Sequence, residues 1–299
     1  MESFTLNIRG TLRSFSHPLV MGILNVTPDS FYAASRTIAD SRKAVDDVHK
    51  PAVAAAAARL VAEGADIIDV GGYSTRPGGA EDVSETEEWR RVSMGISAVK
   101  ALGRDVLISV DTFRAEVARR SIDAGADIIN DISAGQLDSN MMAVMACARV
   151  PYIMMHMRGT PRDMTRRTDY PASEGGVVAT VARELQQSVA QAEQAGIADI
   201  IIDPGFGFAK TPEQNYELLR SLDALRSFFP GRPVLVGLSR KTMIYRPLGL
   251  TPADCLPGTD ALNALALERG AQILRVHDVA AAWQVARVVD MTFNSAGCV

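Results

Sequence analysis

The chain has 299 residues, 47% of them hydrophobic and 22% charged, which is enough apolar sequence for a large buried core. A net charge of −4, with Arg and Lys scattered among acidic residues, argues against a nucleic-acid-binding protein, and three widely spaced cysteines without CxxC spacing argue against a disulfide framework or a zinc site. The N-terminal segment is charged where a signal peptide needs an apolar run, and no run is long enough to span a bilayer, so we expect a soluble, cytoplasmic protein.

The predicted elements begin with residues 4–15, FTLNIRGTLRSF, whose alternating pattern predicts a β-hairpin. Short apolar runs that predict strands then recur eight times, at LVMGILNV (19–26), DIIDVGG (66–72), VLISVD (106–111), DIINDI (127–132), YIMMHM (152–157), DIIIDPG (199–205), PVLVGLS (233–239) and QILRVHD (272–278). The intervening stretches have helical periodicity, and several end in a glycine suited to a left-handed C-cap, at Gly64, Gly125, Gly196 and Gly270.

The segment from residue 32 to residue 50 is polar and mixed in charge. It predicts a loop that joins the next helix near Pro51, since proline is favourable at the first helical position.

Eight alternating strands and helices predict a parallel sheet covered by helices. This number of units in a chain of this length fits an α/β fold of the (β/α)8 TIM-barrel type, with the N-terminal hairpin at the barrel floor and a single domain over residues 1–299. An open, doubly wound sheet is the alternative, but the glycine fingerprint of dinucleotide-binding folds is missing after the first strand.

Polar residues follow the predicted strands at the end that faces the active-site mouth of such a barrel. Each has an ordinary structural explanation: Asp111 could cap the next helix, Asn130 and Asp203 could bond buried backbone groups, and His156 is better explained as a packed core histidine than as a ligand. Their recurrence at all eight strand ends favours a functional site. The set comprises Asn25, the loop Ser74 to Gly79, Asp111, Asn130, Asp131, Met155, His156, Asp203, Ser239 to Lys241, Arg275, His277 and Asp278.

These residues divide into two groups by chemistry. Acceptors and donors deep in the cavity suit a flat heterocycle whose ring nitrogens must be matched when buried; they are Asp111, Asn130, Asp203 and Lys241. Donors and positive charge near the rim suit a phosphate or pyrophosphate; they are Asn25, Arg76, Arg275 and His277. Because no HExxH, P-loop or GxSxG pattern occurs, displacement of a leaving phosphate fits better than covalent catalysis.

Eight ordered motifs carry a resemblance to a known family: MGILNVTPDSF, DIIDVGGYSTRPGG, ISVDT, DIINDIS, MHMRGTP, DPGFGF, GLSRK and RVHDV. Together they resemble the dihydropteroate synthases over about residues 18 to 290. The resemblance implies a transferase of folate biosynthesis that joins 6-hydroxymethyl-7,8-dihydropterin diphosphate to 4-aminobenzoate with Mg²⁺ as cofactor and releases pyrophosphate. It also implies inhibition by sulfonamides, which mimic the aminobenzoate, and a homodimer formed through the late helices.

The resemblance also implies a role for each site residue. The pterin would be held by Asp111, Asn130, Asp203 and Lys241, with Arg275 over its face and Met155 lining the pocket. The diphosphate would be held by Arg76, Arg275 and His277, with Asn25 as the direct metal ligand. The aminobenzoate site would comprise Pro28, Phe31, Thr75, Phe208, Ser239 and Lys241. Catalytic roles would fall to Asp111, Lys241, Arg275 and His277, with Asp111 steadying a developing pterin carbocation.

Two departures from the family pattern occur: Phe31 is followed by YAAS where the family usually has SDGG, and Tyr73 stands where Glu is common. Two other functions stay open. A pterin-binding methyltransferase module would share the barrel, although a methyl carrier needs no cradle for pyrophosphate such as the STRPGG, SRK and RVHD segments provide. A non-catalytic pterin-binding paralogue is the second, and only the altered first loop favours it.

Overall fold

The computed structural model describes residues 2–27, 42–73 and 83–294. The chain starts with an antiparallel hairpin of β1 (Phe4–Ile8) and β2 (Thr11–Phe15). The two connecting residues, Arg9 and Gly10, have φ values of 52° and 89°. A two-residue turn with positive φ at both positions matches the twist of the flanking strands, so the predicted hairpin is confirmed.

Eight parallel strands follow in the described residues, each inside one of the predicted apolar runs. The strands are β3 (Leu19–Asn25), β4 (Ile67–Gly71), β5 (Leu107–Asp111), β6 (Ile128–Asp131), β7 (Tyr152–Met155), β8 (Ile200–Asp203), β9 (Leu235–Val236) and β10 (Ile273–Val276). They form one sheet in the order β8-β7-β6-β5-β4-β3-β10-β9, and a parallel bridge between Ile202 and Val234 links its two edges. This confirms the (β/α)8 barrel.

Helices alternate with these strands and cover the outside of the barrel. The four predicted C-cap glycines all have φ between 93° and 110°, as a left-handed helix end requires. No helix within the described ranges combines the length and the apolar character needed to cross a bilayer. The helices are α1 (Arg42–Ala62), α2 (Glu85–Lys100), α3 (Ala115–Ala124), α4 (Met141–Ala148), α5 (Gly176–Gln194), α6 (Pro212–Arg220), α7 (Leu222–Ser227), α8 (Thr242–Tyr245), α9 (Leu256–Glu268) and α10 (Val279–Asn294).

The predicted start of the first barrel helix near Pro51 is wrong. Helix α1 already begins at Arg42, and Pro51 lies inside it. A proline inside a helix removes one backbone hydrogen bond, but Pro51 is exposed, so water can satisfy the carbonyl that is left free. Residues 42–50 are therefore helix, and the earlier part of the predicted loop lies outside the described residues.

Side chains along each strand alternate between the helices outside and the interior of the barrel. The lowest inner layer is apolar and packs against Phe4, Leu6 and Ile8 of the hairpin, which therefore covers the floor as predicted. The inner layer is formed by Leu19, Met21, Ile67, Leu107, Ile128, Ile153, Ile201, Leu235 and Ile273.

The next inner layer begins two residues further along most of these strands, and it is mostly polar. Its members are Asp69, Ser109, Asn130, Met155, Asp203, Gly237 and Arg275. Because every second side chain of a strand points into the barrel, a polar layer lies directly above the apolar floor, at the end of the barrel where the strands terminate.

Candidate active site

Arg275 holds two carboxylates together across the inner polar layer. Its Nε donates to Asp69 Oδ2 at 2.6 Å, and its Nη2 donates to Asp111 Oδ2 at 2.8 Å. Asn130 Nδ2 donates to the same Asp69 oxygen at 3.1 Å. Charge-assisted bonds to both neighbours fix the plane of the guanidinium. Three of the residues predicted from sequence therefore meet around a carboxylate that was not predicted.

Asp69 is the functional residue that sequence reasoning missed. Its side chain is fully buried, and its Oδ1 has no hydrogen-bond partner among the described residues. The polar residues predicted for the second barrel strand follow that strand, whereas Asp69 lies within it. The signal was present in DIIDVGG, because Asp69 lies two residues after the floor residue Ile67 and so points into the barrel.

The cluster places two acids around one cation in a buried site. Burial raises the pKa of Asp111 to about 7; the Arg275 guanidinium opposes this shift, and the Asp69 carboxylate adds to it. Burial lowers the pKa of Arg275, but the Asp69 and Asp111 carboxylates outweigh that effect and raise it overall. The guanidinium therefore stays charged, and the ionised cluster has a surplus of negative charge that suits a substrate gaining positive charge.

Asp111 does not cap the helix that follows it. The N–H of Ala115 at the start of α3 donates to Asp138 Oδ2 at 2.8 Å instead. The alternative explanation of Asp111 as a capping residue is therefore wrong, and its carboxylate is directed to Arg275.

Asp203 and Lys241 form a second charged part of the wall. Asp203 Oδ1 accepts from the Gly205 N–H at 2.7 Å, so this carboxylate also serves a buried backbone group, as its ordinary explanation proposed. Lys241 Nζ donates to the Phe206 carbonyl and lies 5.0 Å from the centroid of the Phe208 ring. Burial raises the pKa of Asp203, which Lys241 opposes, and burial lowers the pKa of Lys241 to about 8, which Asp203 opposes.

The loops after β9 and β10 are joined at the rim by two residue pairs. Ser239 Oγ lies 3.0 Å from His277 Nδ1 and accepts from the His277 N–H at 3.2 Å. Arg240 donates to both carboxylate oxygens of Asp278, each at 2.8 Å. The predicted Ser239 and His277 are therefore neighbours, and a bidentate ion pair beside them fixes the relative position of the two loops.

Asn25 lies in one row with Gly71 and Asp111 at the ends of three adjacent strands. An added Cβ at Gly71 would lie 3.5 Å from Asn25 Oδ1 and 3.8 Å from Asp111 Cβ, so the two polar side chains flank the same glycine. No group of three or more His, Cys, Asp or Glu residues suited to a metal occurs within residues 2–27, 42–73 and 83–294. An ion at Asn25 would therefore take most of its ligands from phosphate and water, which suits Mg²⁺.

Met155 and Phe208 lie on an apolar side of the site. Met155 belongs to a buried cluster with Ile132, Met157, Met164 and Ala209, against which Phe208 packs. The ten described members of the predicted site are Asn25, Asp111, Asn130, Met155, Asp203, Phe208, Ser239, Lys241, Arg275 and His277. The other four, Pro28, Phe31, Thr75 and Arg76, lie outside the described residues.

Two polar residues at strand ends, His156 and Asp131, are held by contacts away from the inner polar layer. His156 is buried, with Nε2 2.8 Å from Glu184 Oε2 and Nδ1 2.9 Å from Lys210 Nζ, as the core interpretation predicted. Asp131 points away from the inner layer and accepts from the Tyr152 hydroxyl at 2.6 Å and from groups of the following turn.

Tyr73, one of the two departures from the family pattern, packs beside the site. Its ring meets Phe113 edge to face at a centroid distance of 5.3 Å, and the Arg114 guanidinium lies 5.4 Å from its centroid. Arg114 in turn pairs with the buried Glu88 at 2.5 Å. The tyrosine thus stabilises the wall through aromatic and cation–π contacts where the family commonly has a carboxylate.

Known proteins resemble this chain in both sequence and structure. The family model for pterin binding enzymes matches residues 21–277. The dihydropteroate synthase of Escherichia coli (strain K12) is 42% identical over 291 residues, which cover 96% of each chain.

Two solved structures extend the likeness to the fold. A Xanthomonas albilineans dihydropteroate synthase with 4-aminobenzoic acid has a TM-score of 0.85 at 40% identity and covers 99% of this chain and 100% of that chain. A second structure of the Xanthomonas albilineans enzyme, in complex with 7,8-dihydropteroate, has a TM-score of 0.81 at 37% identity and covers 98% and 100%. The chain therefore belongs to the dihydropteroate synthases of the pterin-binding enzyme family.

Proposed function

We infer that this chain catalyses the condensation of 6-hydroxymethyl-7,8-dihydropterin diphosphate with 4-aminobenzoate, which gives 7,8-dihydropteroate and pyrophosphate. The observation that carries this function is the inner polar layer, in which Arg275 joins Asp69 and Asp111 beside Asn130, together with the Ser239–His277 pair at the neighbouring strand ends. Full-length similarity to dihydropteroate synthases supports it over a methyltransferase module.

The base of the cavity suits the pterin ring. The Asp203 carboxylate would accept from the amino group and the ring N–H, while Asn130 and Lys241 would bond the remaining ring heteroatoms. Arg275, held flat by Asp69 and Asp111, would lie against the ring face. Burying a heterocycle without such partners would leave its polar atoms unmatched, so these groups determine which ring binds.

The rim suits the diphosphate arm. His277 and the guanidinium of Arg275 supply donors and charge, and the Asn25 amide oxygen lies in the same row as Asp111. Mg²⁺ held by Asn25, phosphate oxygens and water would neutralise the charge of the departing pyrophosphate. The residues present fit this ion, since Asn25 offers one hard oxygen ligand and the substrate offers the others.

Asp111 would stabilise the cation that develops on the pterin methylene as the C–O bond to pyrophosphate breaks. The aromatic amine of 4-aminobenzoate would then attack that carbon, forming the C–N bond, and would release one proton to water or to the departing pyrophosphate, so no strong base is needed. The ring of 4-aminobenzoate would lie near Phe208, and the carboxylate of 4-aminobenzoate would lie near Ser239 and Lys241. Sulfonamides would compete for the same place.

A homodimer is proposed through the last two helices. Large apolar side chains are exposed along α9 and α10, which pack on each other. Exposed apolar surface of this kind is typical of an interface between subunits. Sedimentation velocity measures whether the chain is a dimer. The residues concerned are Leu265, Trp283, Val288, Met291 and Phe293.

The function is tested by measuring pyrophosphate release from the pterin diphosphate with and without 4-aminobenzoate, and by identifying dihydropteroate chromatographically. We expect stoichiometric pyrophosphate and dihydropteroate only with both substrates and Mg²⁺. Pterin binding without product would indicate the non-catalytic paralogue. Preferential binding of methyltetrahydrofolate would indicate the methyltransferase module.

Replacement of Asn25 by Ala is expected to raise the Mg²⁺ concentration for half-maximal activity by about tenfold or more, because the only proposed protein ligand is lost. Binding of a pterin that lacks the diphosphate is expected to stay unchanged. The exposed Asn140→Ala variant is the matched control. An unchanged Mg²⁺ requirement in Asn25→Ala would remove Asn25 from the metal site.

A further inference from the structure

Lys210 is a buried lysine at the end of the DPGFGF loop that the proposed mechanism does not use. Its Nζ lies 2.9 Å from His156 Nδ1, 3.0 Å from the Gly205 carbonyl and 3.1 Å from the Phe208 carbonyl. Burial lowers the pKa of Lys210 to about 7, which the Asp203 carboxylate opposes, and the three hydrogens of its ammonium form match the three surrounding acceptors. The geometry is therefore that of a fully satisfied lysine clamp on one loop.

His156 fixes the position of this ammonium. Burial lowers the pKa of His156 to about 4, so the imidazole is neutral at physiological pH. Because Nδ1 accepts from Lys210, the ring proton is on Nε2, which donates to Glu184 Oε2 at 2.8 Å. Arg158 holds the same carboxylate at 2.5 Å. The chain of contacts thus ties the loop to helix α5 and to the segment after β7.

The loop needs such an anchor because its backbone is unusual. Gly205, Gly207 and Ala209 have φ values of 71°, 79° and 50°. An added Cβ at Gly205 would lie 1.9 Å from the His156 carbonyl oxygen, so the loop runs directly against this strand end. Left-handed conformations persist only where the surroundings hold them, and for a non-glycine residue such as Ala209 they are strained.

The same loop carries groups that face the two substrates in the proposed function. Asp203 begins it, the Phe206 carbonyl accepts from Lys241, and the Phe208 ring lies 5.0 Å from Lys241 Nζ. Lys210 donates to the carbonyl of Phe208 itself, whereas its link to Asp203 is indirect, and the Asp203 carbonyl accepts from the His156 N–H at 2.9 Å. Loss of Lys210 should therefore displace Phe208 more than Asp203.

We propose that Lys210 is a positioning residue for the second substrate: by clamping the Gly205 and Phe208 carbonyls against His156, it places the Phe208 ring and Lys241 to receive 4-aminobenzoate. This proposal rests on the proposed function. It assigns Lys210 no contact with either substrate.

The test is the Lys210→Met variant, which keeps the apolar stem and removes the ammonium. We expect KM for 4-aminobenzoate to rise by about tenfold or more, because the Phe208 ring and Lys241 would no longer be held in position to bind that substrate. We expect the Kd of the pterin diphosphate to change by less than about threefold, which is below 1 kcal/mol. Lys210→Gln, which retains two donors, should restore part of the affinity for 4-aminobenzoate and serves if Lys210→Met does not fold.

Lys100→Met is the matched control, because Lys100 Nζ also donates to a backbone carbonyl, that of Ala124, but at the opposite end of the barrel. It should leave both constants unchanged. Equal loss of affinity for both substrates in Lys210→Met, or a lower melting temperature with both constants unchanged, would show a merely structural lysine and overturn the proposal. Absence of turnover in the unmodified chain would instead contradict the proposed function, so the two failures are distinguishable.

Discussion

Replacing Asp203 by Asn is expected to weaken binding of the pterin diphosphate by at least about 100-fold, because a buried site built to accept hydrogen bonds would present a donor instead. Asn can keep the bond from the Gly205 N–H with its single oxygen, so the loop conformation is preserved. Lys241 also loses its nearby negative charge. Calorimetric titration with the pterin diphosphate measures the change directly.

The matched control lies directly before the same strand. Asp199 precedes β8 at the floor of the barrel, where it accepts from the Asn7 N–H of the hairpin at 2.9 Å. Asp199→Asn makes the same chemical change at the opposite end and should leave pterin affinity intact. Near-normal affinity in Asp203→Asn would refute the assignment of Asp203 to the pterin site.

Replacing Asp111 by Asn is expected to lower kcat by about 100- to 1,000-fold and to stabilise the fold at pH 8. The loss of activity follows because a neutral amide cannot stabilise the developing cation. The gain in stability follows because the ionised cluster holds two carboxylates against one guanidinium in a buried site.

The direction of the change in stability follows from the pKa of Asp111. Folding raises the pKa of Asp111 from 3.8 to about 7, so the folded state binds this proton more tightly than the unfolded state between those values. Stability therefore falls as the pH rises through that window and stays lower above it. Asn cannot ionise, so its advantage should grow from pH 4 to pH 7 and reach about 1–3 kcal/mol in the free energy of unfolding.

Denaturant unfolding across this pH range, together with steady-state kinetics, measures both effects. Asp131→Asn is the contrasting variant, because burial also raises the pKa of Asp131 but both its oxygens accept hydrogen bonds, including that from Tyr152. It should be less stable than the unmodified chain at every pH. A wild-type turnover rate in Asp111→Asn, or lower stability at pH 8, would contradict the proposed role of Asp111.

Much of the site could be predicted from local sequence because a parallel barrel converts chain order into spatial position. Each apolar run ends at the same face, so polar residues at the ends of eight strands had to converge once the barrel was predicted. Asn130, Asp203 and Arg275 were found in this way, and the structure places them two residues above the apolar floor. The start of helix α1 could not be predicted, since an exposed proline is tolerated inside that helix.

By itself, the sequence determined the barrel, the hairpin plug and the residue types available to the cavity, because periodicity and turn residues are local properties. Only the tertiary structure decided which of these charged and polar groups contact one another. Asp69 became part of the site because Arg275, 206 residues away along the chain, donates to it. Lys210 became a clamp because the fold brings His156 to its ammonium. Partners so distant in sequence leave no pattern in a single chain, and their pairing is set by packing around the barrel.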